Sequence, residues 1–417
     1  MSETNLIVVD WTSSVLEVGV FARNLRGYEL RSHFTTPTRT GLRQRPWGKI
    51  SYLLGADAVG QQEDKNTIIF RNPGRELPRI EDVDLQTELL KSFWQGLHEF
   101  LIRREVLAAE QVAPVYVIPP LRFPLPLLEK LRSCASETPL QLRGTTTAAA
   151  ALVMGILGLP EFVADLNQMA GSEQTTAGCF VAREESIEAV CFNYQSVGPS
   201  HHRIIIRDFF QTTLDELSPR LSDSDCFDSL DVLLLVEDPE LSDSARDQVK
   251  TSLGQIAGAT ERRQRQLPTA TSLKLMGGAE VARFAAGRAT EPSQYELSHL
   301  CNLGVQINRS RFYPLIGKER LRSCKFPTSS SQSFNLVGEP TGALRLNFCF
   351  GYSTRIAEAI PLGHMVLSES ELTALADDSF LSASIRLDRH GSGEFFLGVM
   401  PENRILRQQP FMMPGLA

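Results

Sequence analysis

The stretch from Leu6 to Phe21, LIVVDWTSSVLEVGVF, constrains this chain most. Leu6, Ile7, Val8 and Val9 form an unbroken apolar run, the pattern of a strand buried on both faces. Asp10 ends the run, Trp11-Thr12-Ser13-Ser14 makes a short polar turn, and Val15 to Phe21 returns in alternation. The reading is strand, tight turn, strand. A carboxylate at the tip of a buried strand, followed by small hydroxyls, is suited to hold a hydrated cation and a phosphate. An ordinary hairpin with a capping aspartate has the same pattern, so other segments must decide.

At 417 residues the chain is long enough for two or three domains with cores of their own. The net charge of −7 is spread without a basic stripe, which argues against nucleic acid as a partner. No apolar run reaches membrane-spanning length, and MSETNL lacks the basic, apolar pattern of a signal. The expectation is a cytoplasmic protein with no membrane partner. Seven widely spaced cysteines give neither a disulfide framework nor a CxxC pattern, so they read as buried thiols. The pair His201-His202 has no further ligands at helical or hairpin spacing, and no metal site is predicted.

Further along, KISYLLGADAVGQQ (49–62) reads as a strand end, a glycine turn and a helix start. Val83 to Leu107 is the clearest amphipathic helix, with Leu85, Leu89, Phe93, Leu97 and Leu101 at four-residue spacing. Val115 to Phe123 is a buried strand ending in Pro119-Pro120, and Pro124 to Ala135 is a short helix. Gly144 to Gly155, GTTTAAAALVMG, opens a helix with a threonine cap and continues in small residues that allow close approach to a neighbour. A second lobe begins near Thr176, with a hairpin over Ala177 to Phe192 and a buried strand over Leu230 to Val236. Gln264 to Ser272 reads as a polar connection, Ala279 to Ala289 as a closing helix and Thr290 to Cys301 as a linker. From Leu303 the pattern becomes alternating strands with turn signals, in KFPTSSSQSF (325–334), LRLNFCFG (344–351), IPLGHMVL (360–367) and LSASIRLDRHGSGEFFLGV (381–399), the last with a turn at His390-Gly391.

These segments, taken in order, resemble the heat-shock-70 (DnaK-type) chaperone family. The last four resemble its substrate-binding β-sandwich, whose segments read Ile-Pro-Thr-Lys-x-Ser-Gln-x-Phe, Val-x-Ile-x-Val-x-Gln-Gly, Leu-Gly-x-Phe-x-Leu and Ile-x-Val-x-Phe-x-Ile-Asp-x-x-Gly-x-Leu-x-Val. The Asp10 hairpin resembles the first phosphate loop of the actin and heat-shock-70 ATPases, Asp-Leu-Gly-Thr-Thr, with Ser13 and Ser14 in place of the threonines and Thr12 in place of glycine. The fold implied is α/β plus all-β: an actin-like two-lobed ATPase domain over residues 1–288 with a reduced second lobe, a linker over 289–302, a β-sandwich over 303–400 and a tail over 401–417. The family's helical lid has no counterpart.

Against that family the nucleotide site is degenerate. Phe70 and Arg71 lie where the family has its phosphate-contacting lysine, Thr145 and Thr146 where it has Glu-Pro, and Arg183-Glu184-Glu185 where it has the glycines of a second phosphate loop. Glu237-Asp238-Pro239 replaces the adenosine-packing Gly-Gly. What remains is Asp10, Ser13 and Ser14. Phosphoryl transfer needs backbone N–H groups close to phosphate and carboxylates that orient hydrated magnesium. The losses predict no turnover and no resident cofactor, with ATP and magnesium held weakly if at all.

The resemblance places a peptide channel on Val305, Phe334, Val337, Leu344 and Leu346, all apolar, with Asn308 where bacterial members have an arch methionine. The implied partners are unfolded or extended peptides, or a specific protein, and the same five residues also fit a plain sandwich core. The function implied is a chaperone-type binding protein. Two alternatives stand beside it: an active ATP-dependent chaperone with a rebuilt site, and a structural subunit docking one fixed partner.

Overall fold

The computed structural model describes residues 5–413, apart from 25–26, 45–49, 60–66, 72, 81, 121–122, 160–161, 165, 167–173, 185, 199–200, 225, 229, 238–240, 255–260, 265–269, 286–293, 324–326, 335–341, 376–379, 389–391, 401 and 403. The chain forms α/β structure followed by all-β structure. It divides into two units, one of residues 1–123 and 127–297, the other of 298–417 together with 124–126. The boundary falls inside the segment read as a linker. Among the described residues no helix is long and apolar enough to cross a membrane.

The first unit is built on the hairpin. Strand β1 (Leu6–Asp10) is buried throughout and pairs antiparallel with β2 (Val15–Asn24), which pairs with β3 (Gly27–Pro37). A small sheet of β4 (Thr40–Gln44), β5 (Ile50–Leu54) and β6 (Thr67–Phe70) follows, with the short helices α1 (Ala56–Val59) and α2 (Pro73–Glu76). Helix α3 (Val83–Arg103) starts where the Asp82 carboxylate accepts from the Asp84 and Leu85 amides, a side-chain cap. Its stripe of Leu89, Phe93, Leu97 and Leu101 is buried against the same core as Ile7 and Val9. Then come β7 (Ala113–Ile118), α4 (Leu125–Ala135), β8 (Leu140–Thr145) and α5 (Ala148–Leu157), which is capped by Thr147 and buried at every position. The sheet order is β3-β2-β1-β7-β8, with β7 and β8 parallel to β1.

The second lobe repeats this order. Strands β9 (Thr175–Ala182), β10 (Ile187–Gly198) and β11 (His201–Thr212) form the antiparallel part. Helix α6 (Leu217–Ser222) leads to β12 (Val232–Glu237), α7 (Asp243–Gly254) to β13 (Glu261–Gln264), and α8 (Ala270–Ala285) closes the lobe. The order β11-β10-β9-β12-β13 matches the first sheet strand for strand. The second lobe keeps a sheet of the same five-strand order as the first. The segment read as a polar connection holds part of β13 and the first turn of α8. The segment read as a linker holds β14 (Gln294–His299), which adds to the sheet edge at β11.

Helices α5 and α8 knit the two lobes. A Cβ at Gly155 would lie 2.0 Å from the Leu273 carbonyl oxygen, and one at Gly277 would lie 1.7 Å from that of Ala151. Only glycine lets the two backbones meet here. Helix α8 also packs on β1, β2, β3 and β7 of the first lobe.

The second unit holds β15 (Asn302–Gln306), β16 (Phe312–Ile316), α9 (Lys318–Ser323), β17 (Thr328–Phe334), β18 (Leu344–Gly351), β19 (Ile360–Leu367), α10 (Glu369–Thr373), β20 (Phe380–Leu387), β21 (Ser392–Met400) and β22 (Arg404–Met412). Two antiparallel four-stranded sheets, β16-β15-β18-β19 and β17-β20-β21-β22, face each other. Phe348 of one stacks on Phe395 of the other at 4.1 Å between ring centres, and Phe395 stacks on Phe411 at 4.3 Å. Residues 401–417 were expected to be a tail, yet β22 within them completes the second sheet. The turn expected at His390-Gly391 lies outside the described residues, between the paired strands β20 and β21.

Candidate functional site

The Asp10 carboxylate is 2% exposed and already engaged. Its Oδ1 accepts from the Thr12 amide at 2.9 Å, and its Oδ2 lies 2.8 Å from the Lys274 Nζ. Lys274 sits on α8, one turn before the glycines that bring this helix onto the first lobe. Its ammonium also donates to Glu188 Oε1 of β10 at 2.8 Å and to Thr12 Oγ1 at 2.5 Å. One buried cation thus joins the tip of β1 to the start of β10. Glu17 stands directly opposite Asp10 in the β1–β2 register. Two carboxylates facing each other there would repel, and cations relieve them. An Arg183 amino nitrogen approaches Glu17 Oε1 at 3.4 Å, and His33 Nε2 lies 3.8 Å from Glu17 Oε2.

Burial shapes the protonation of this cluster. It pushes the Asp10 pKa upward, but the charge and hydrogen bond of Lys274, with help from Thr12 and Arg183, hold it below the usual value. Burial raises the Glu17 pKa, and nearby Asp10 adds to the rise against the opposing pull of His33, Arg183 and Lys274. Lys274 goes the other way. Burial favours its neutral form, yet Asp10 and Glu188 together lift its pKa above the ordinary lysine value. A lysine so stabilised in its charged form is neither base nor nucleophile near neutrality.

Other amides of the loop are likewise engaged. The Trp11 amide donates to Ile118 O at 2.9 Å, and the Val15 amide to Ser13 Oγ at 3.2 Å. Ser13 and Ser14, expected beside a phosphate, make bonds within the fold. Ser13 Oγ donates to Val15 O at 2.7 Å, and the Ser14 carbonyl accepts from the Thr38 amide and hydroxyl. In the segment compared with a second phosphate loop, Glu184 accepts from the Ser242 amide and hydroxyl at the start of α7, each at 2.9 Å. Glu185 and Asp238-Pro239 lie outside the described residues.

The sequence reading missed Lys274, Glu17, Glu188 and His33. The usable signal was a lone charge inside an apolar run: Lys274 in SLKLMGG, Glu17 in VLEVGV and Glu188 in SIEAVCF. Such a charge has to meet a partner once buried.

In the sandwich, the channel residues separate. Val305 is 1% exposed and pairs with Phe348 and Tyr313, a buried position in its sheet. Asn308 shapes its own turn: its Oδ1 accepts from the Ser310 and Arg311 amides at 2.9 and 2.8 Å. Phe334 is half-buried and meets Tyr313 edge-on at 5.8 Å. Val337 lies outside the described residues. Leu344 and Leu346 are half-buried, on the face of β18 that continues into buried Phe348 and Phe350.

The backbone around those leucines is one-sided. Leu344, Arg345 and Leu346 pair with Leu367, Val366 and Met365 of β19. On the other side β15 pairs with β18 only from Phe348 to Gly351. Beyond Gln306 the chain turns away, and no described strand lies along residues 344–346. This stretch combines an unpaired strand edge with two partly exposed leucines, a pattern that accepts an added strand. No protein-family model and no curated protein matches this chain.

Proposed function

We propose that this chain is a heat-shock-70-like binding protein whose actin-like domain does not hydrolyse ATP and whose sandwich captures an extended apolar segment of a partner chain. One observation carries the binding reading: the β18 edge at residues 344–346, which no described strand pairs on the side away from β19, with half-buried Leu344 and Leu346 along it. An extended segment there would gain backbone hydrogen bonds along one edge and would lay alternate side chains against the leucines. Burying one leucine-sized side chain is worth roughly 1.5–3 kcal/mol, enough to select apolar over polar segments.

The repeated sheet order and the helices shared between lobes support the actin-like reading of the first unit. The Lys274 ammonium supports the loss of hydrolysis. It lies between the hairpins of the two lobes and engages the Asp10 carboxylate that a hydrated metal would need.

Hydrogen exchange on the full chain tests the binding reading. With a saturating apolar peptide, the amides of residues 344–346 are expected to slow while those of the Asp10 hairpin stay unchanged. Slowing confined to other strands would move the binding surface and defeat the proposal. Phosphate release with an Asp10→Asn control tests the second part: no turnover above background is expected, and turnover abolished by the substitution would contradict it.

A further inference from the structure

We infer that the segment captured along β18 carries acidic residues beside its apolar centre. This rests on the strand-addition reading and names the chemistry of its occupant. Gln306, the last residue of β15, accepts from Asn347 Nδ2 at 3.0 Å. The loop from Ile307 to Arg311 therefore leaves the sheet next to Leu346, at one end of the unpaired edge. It bears exposed Arg309 and Arg311. An isolated antiparallel bridge between Arg311 and Arg355 brings a third basic residue to the same end. Arg345, between the two leucines in sequence and on the opposite face of β18, is exposed. Its Nε donates to Asn347 Oδ1 at 3.1 Å, and its amino group meets His364 at 3.5 Å.

Among the described residues Arg309, Arg311 and Arg345 have no carboxylate partner. The acids of the same sheet and its flanking helix are disposed differently. Glu358 accepts from Ser353 Oγ at 2.6 Å. Glu371 pairs with Arg407 at 2.5 Å. Exposed Glu369 follows Leu367, the β19 partner of Leu344, and so lies toward the opposite end. Among the described residues arginines therefore outnumber carboxylates at the Leu346 end, where Glu358 stands near Arg355, and exposed Glu369 lies beyond the Leu344 end. A segment lying along it meets guanidinium groups at one end, and carboxylates there complement them. Each such exposed pair is weak, but between segments of equal apolarity the pairs decide the choice.

The test uses the full chain and three labelled peptides that share one Leu/Val centre and differ only in flanking Asp, Asn or Lys. Fluorescence polarisation at low salt is expected to rank Asp above Asn above Lys, with about a five- to tenfold advantage for Asp over Asn, the size of two exposed charge pairs. The advantage should shrink at about 0.5 M salt, where the Debye length falls to a few ångströms. The double reversal Arg309→Glu with Arg311→Glu is expected to invert the order of the Asp and Lys peptides. Both side chains are exposed, and circular dichroism checks the fold; should the variant not fold, the wild-type ranking still decides. Equal affinities, or Lys above Asp in the wild type, would overturn the acidic preference while leaving strand addition intact. Failure of all three peptides to bind would overturn both.

Discussion

The Asp10 hairpin and the β18 edge are both places where a chain can hold a ligand, and they are in opposite states. At the hairpin the carboxylate that would serve a metal is engaged inside the fold: Asp10 has Thr12 and Lys274, one oxygen of Glu188 has Lys274, and the Trp11 and Val15 amides have Ile118 and Ser13. At β18, three residues keep backbone and apolar surface that no described strand covers. The difference teaches where to look for function. A buried carboxylate held by an internal ammonium is less free for a ligand, whereas a strand edge that no described strand covers keeps its backbone groups for one.

The contrast breaks most visibly at Lys274. Lys274→Met keeps much of the volume but leaves Asp10, Glu17 and Glu188 around Arg183 without the ammonium. The expected cost is about 3–5 kcal/mol, read by urea unfolding, as for other broken buried pairs. Adding Asp10→Asn and Glu188→Gln should recover most of that loss, because it is the stranded charge that costs. A loss below about 1 kcal/mol for the single change would mean that water reaches the cluster.

Next in size is the helix contact that carries Lys274 to Asp10. Gly277→Ala puts a methyl group against the Ala151 carbonyl oxygen and should cost at least about 1–3 kcal/mol. Gly254→Ala meets nothing within 4 Å and should be neutral or slightly stabilising. Equal melting temperatures for the two variants would dissolve the argument that α5 and α8 touch backbone to backbone.

The hairpin should also show two opposite pH dependences. Asp10, held below its ordinary pKa of 3.8, contributes stability that is present above that value and lost as pH falls through its lower folded value. Glu17, raised above its ordinary 4.5, stabilises the fold most when protonated and loses that contribution as pH rises through its folded value. Glu17→Gln fixes the neutral form. Urea midpoints from pH 4 to 7.5 should therefore show the variant gaining on the wild type as pH rises. A constant difference would show that Glu17 folds with an unshifted pKa.

The smallest stability change is expected at the open edge. Leu344→Trp should cost under about 1 kcal/mol, because the side chain is only half-buried, yet it should abolish peptide binding by filling the space beside the strand. A large fall in melting temperature would place Leu344 in the core.

Much of this architecture was legible from local pattern. The bounds of β18 and β19 coincide with the segments read as strands, and the α3 stripe follows from four-residue spacing. Local pattern failed where long-range pairing decides. Strand β22 shows exposed Arg404, Ile405, Arg407 and Gln408, so its alternation is faint and only the ladder to β21 makes it a strand. Helix α8 begins inside a polar stretch because packing on β1 and α5 overrides composition. The ion cluster was beyond local reading, since Lys274 lies 86 residues from Glu188 and 262 from Thr12. What the sequence did display were three isolated charges in apolar runs, each in need of a partner.

The contrast between a filled site and an open edge predicts a binding protein indifferent to nucleotide. Fluorescence polarisation of one acid-flanked apolar peptide on the full chain, with and without magnesium ATP, measures both halves together. The expected result is saturable binding, lost in Leu344→Trp and unchanged by ATP. Peptide released by ATP in the wild type would mean that the Lys274 cluster opens to nucleotide, and absence of binding under both conditions would remove the role assigned to β18.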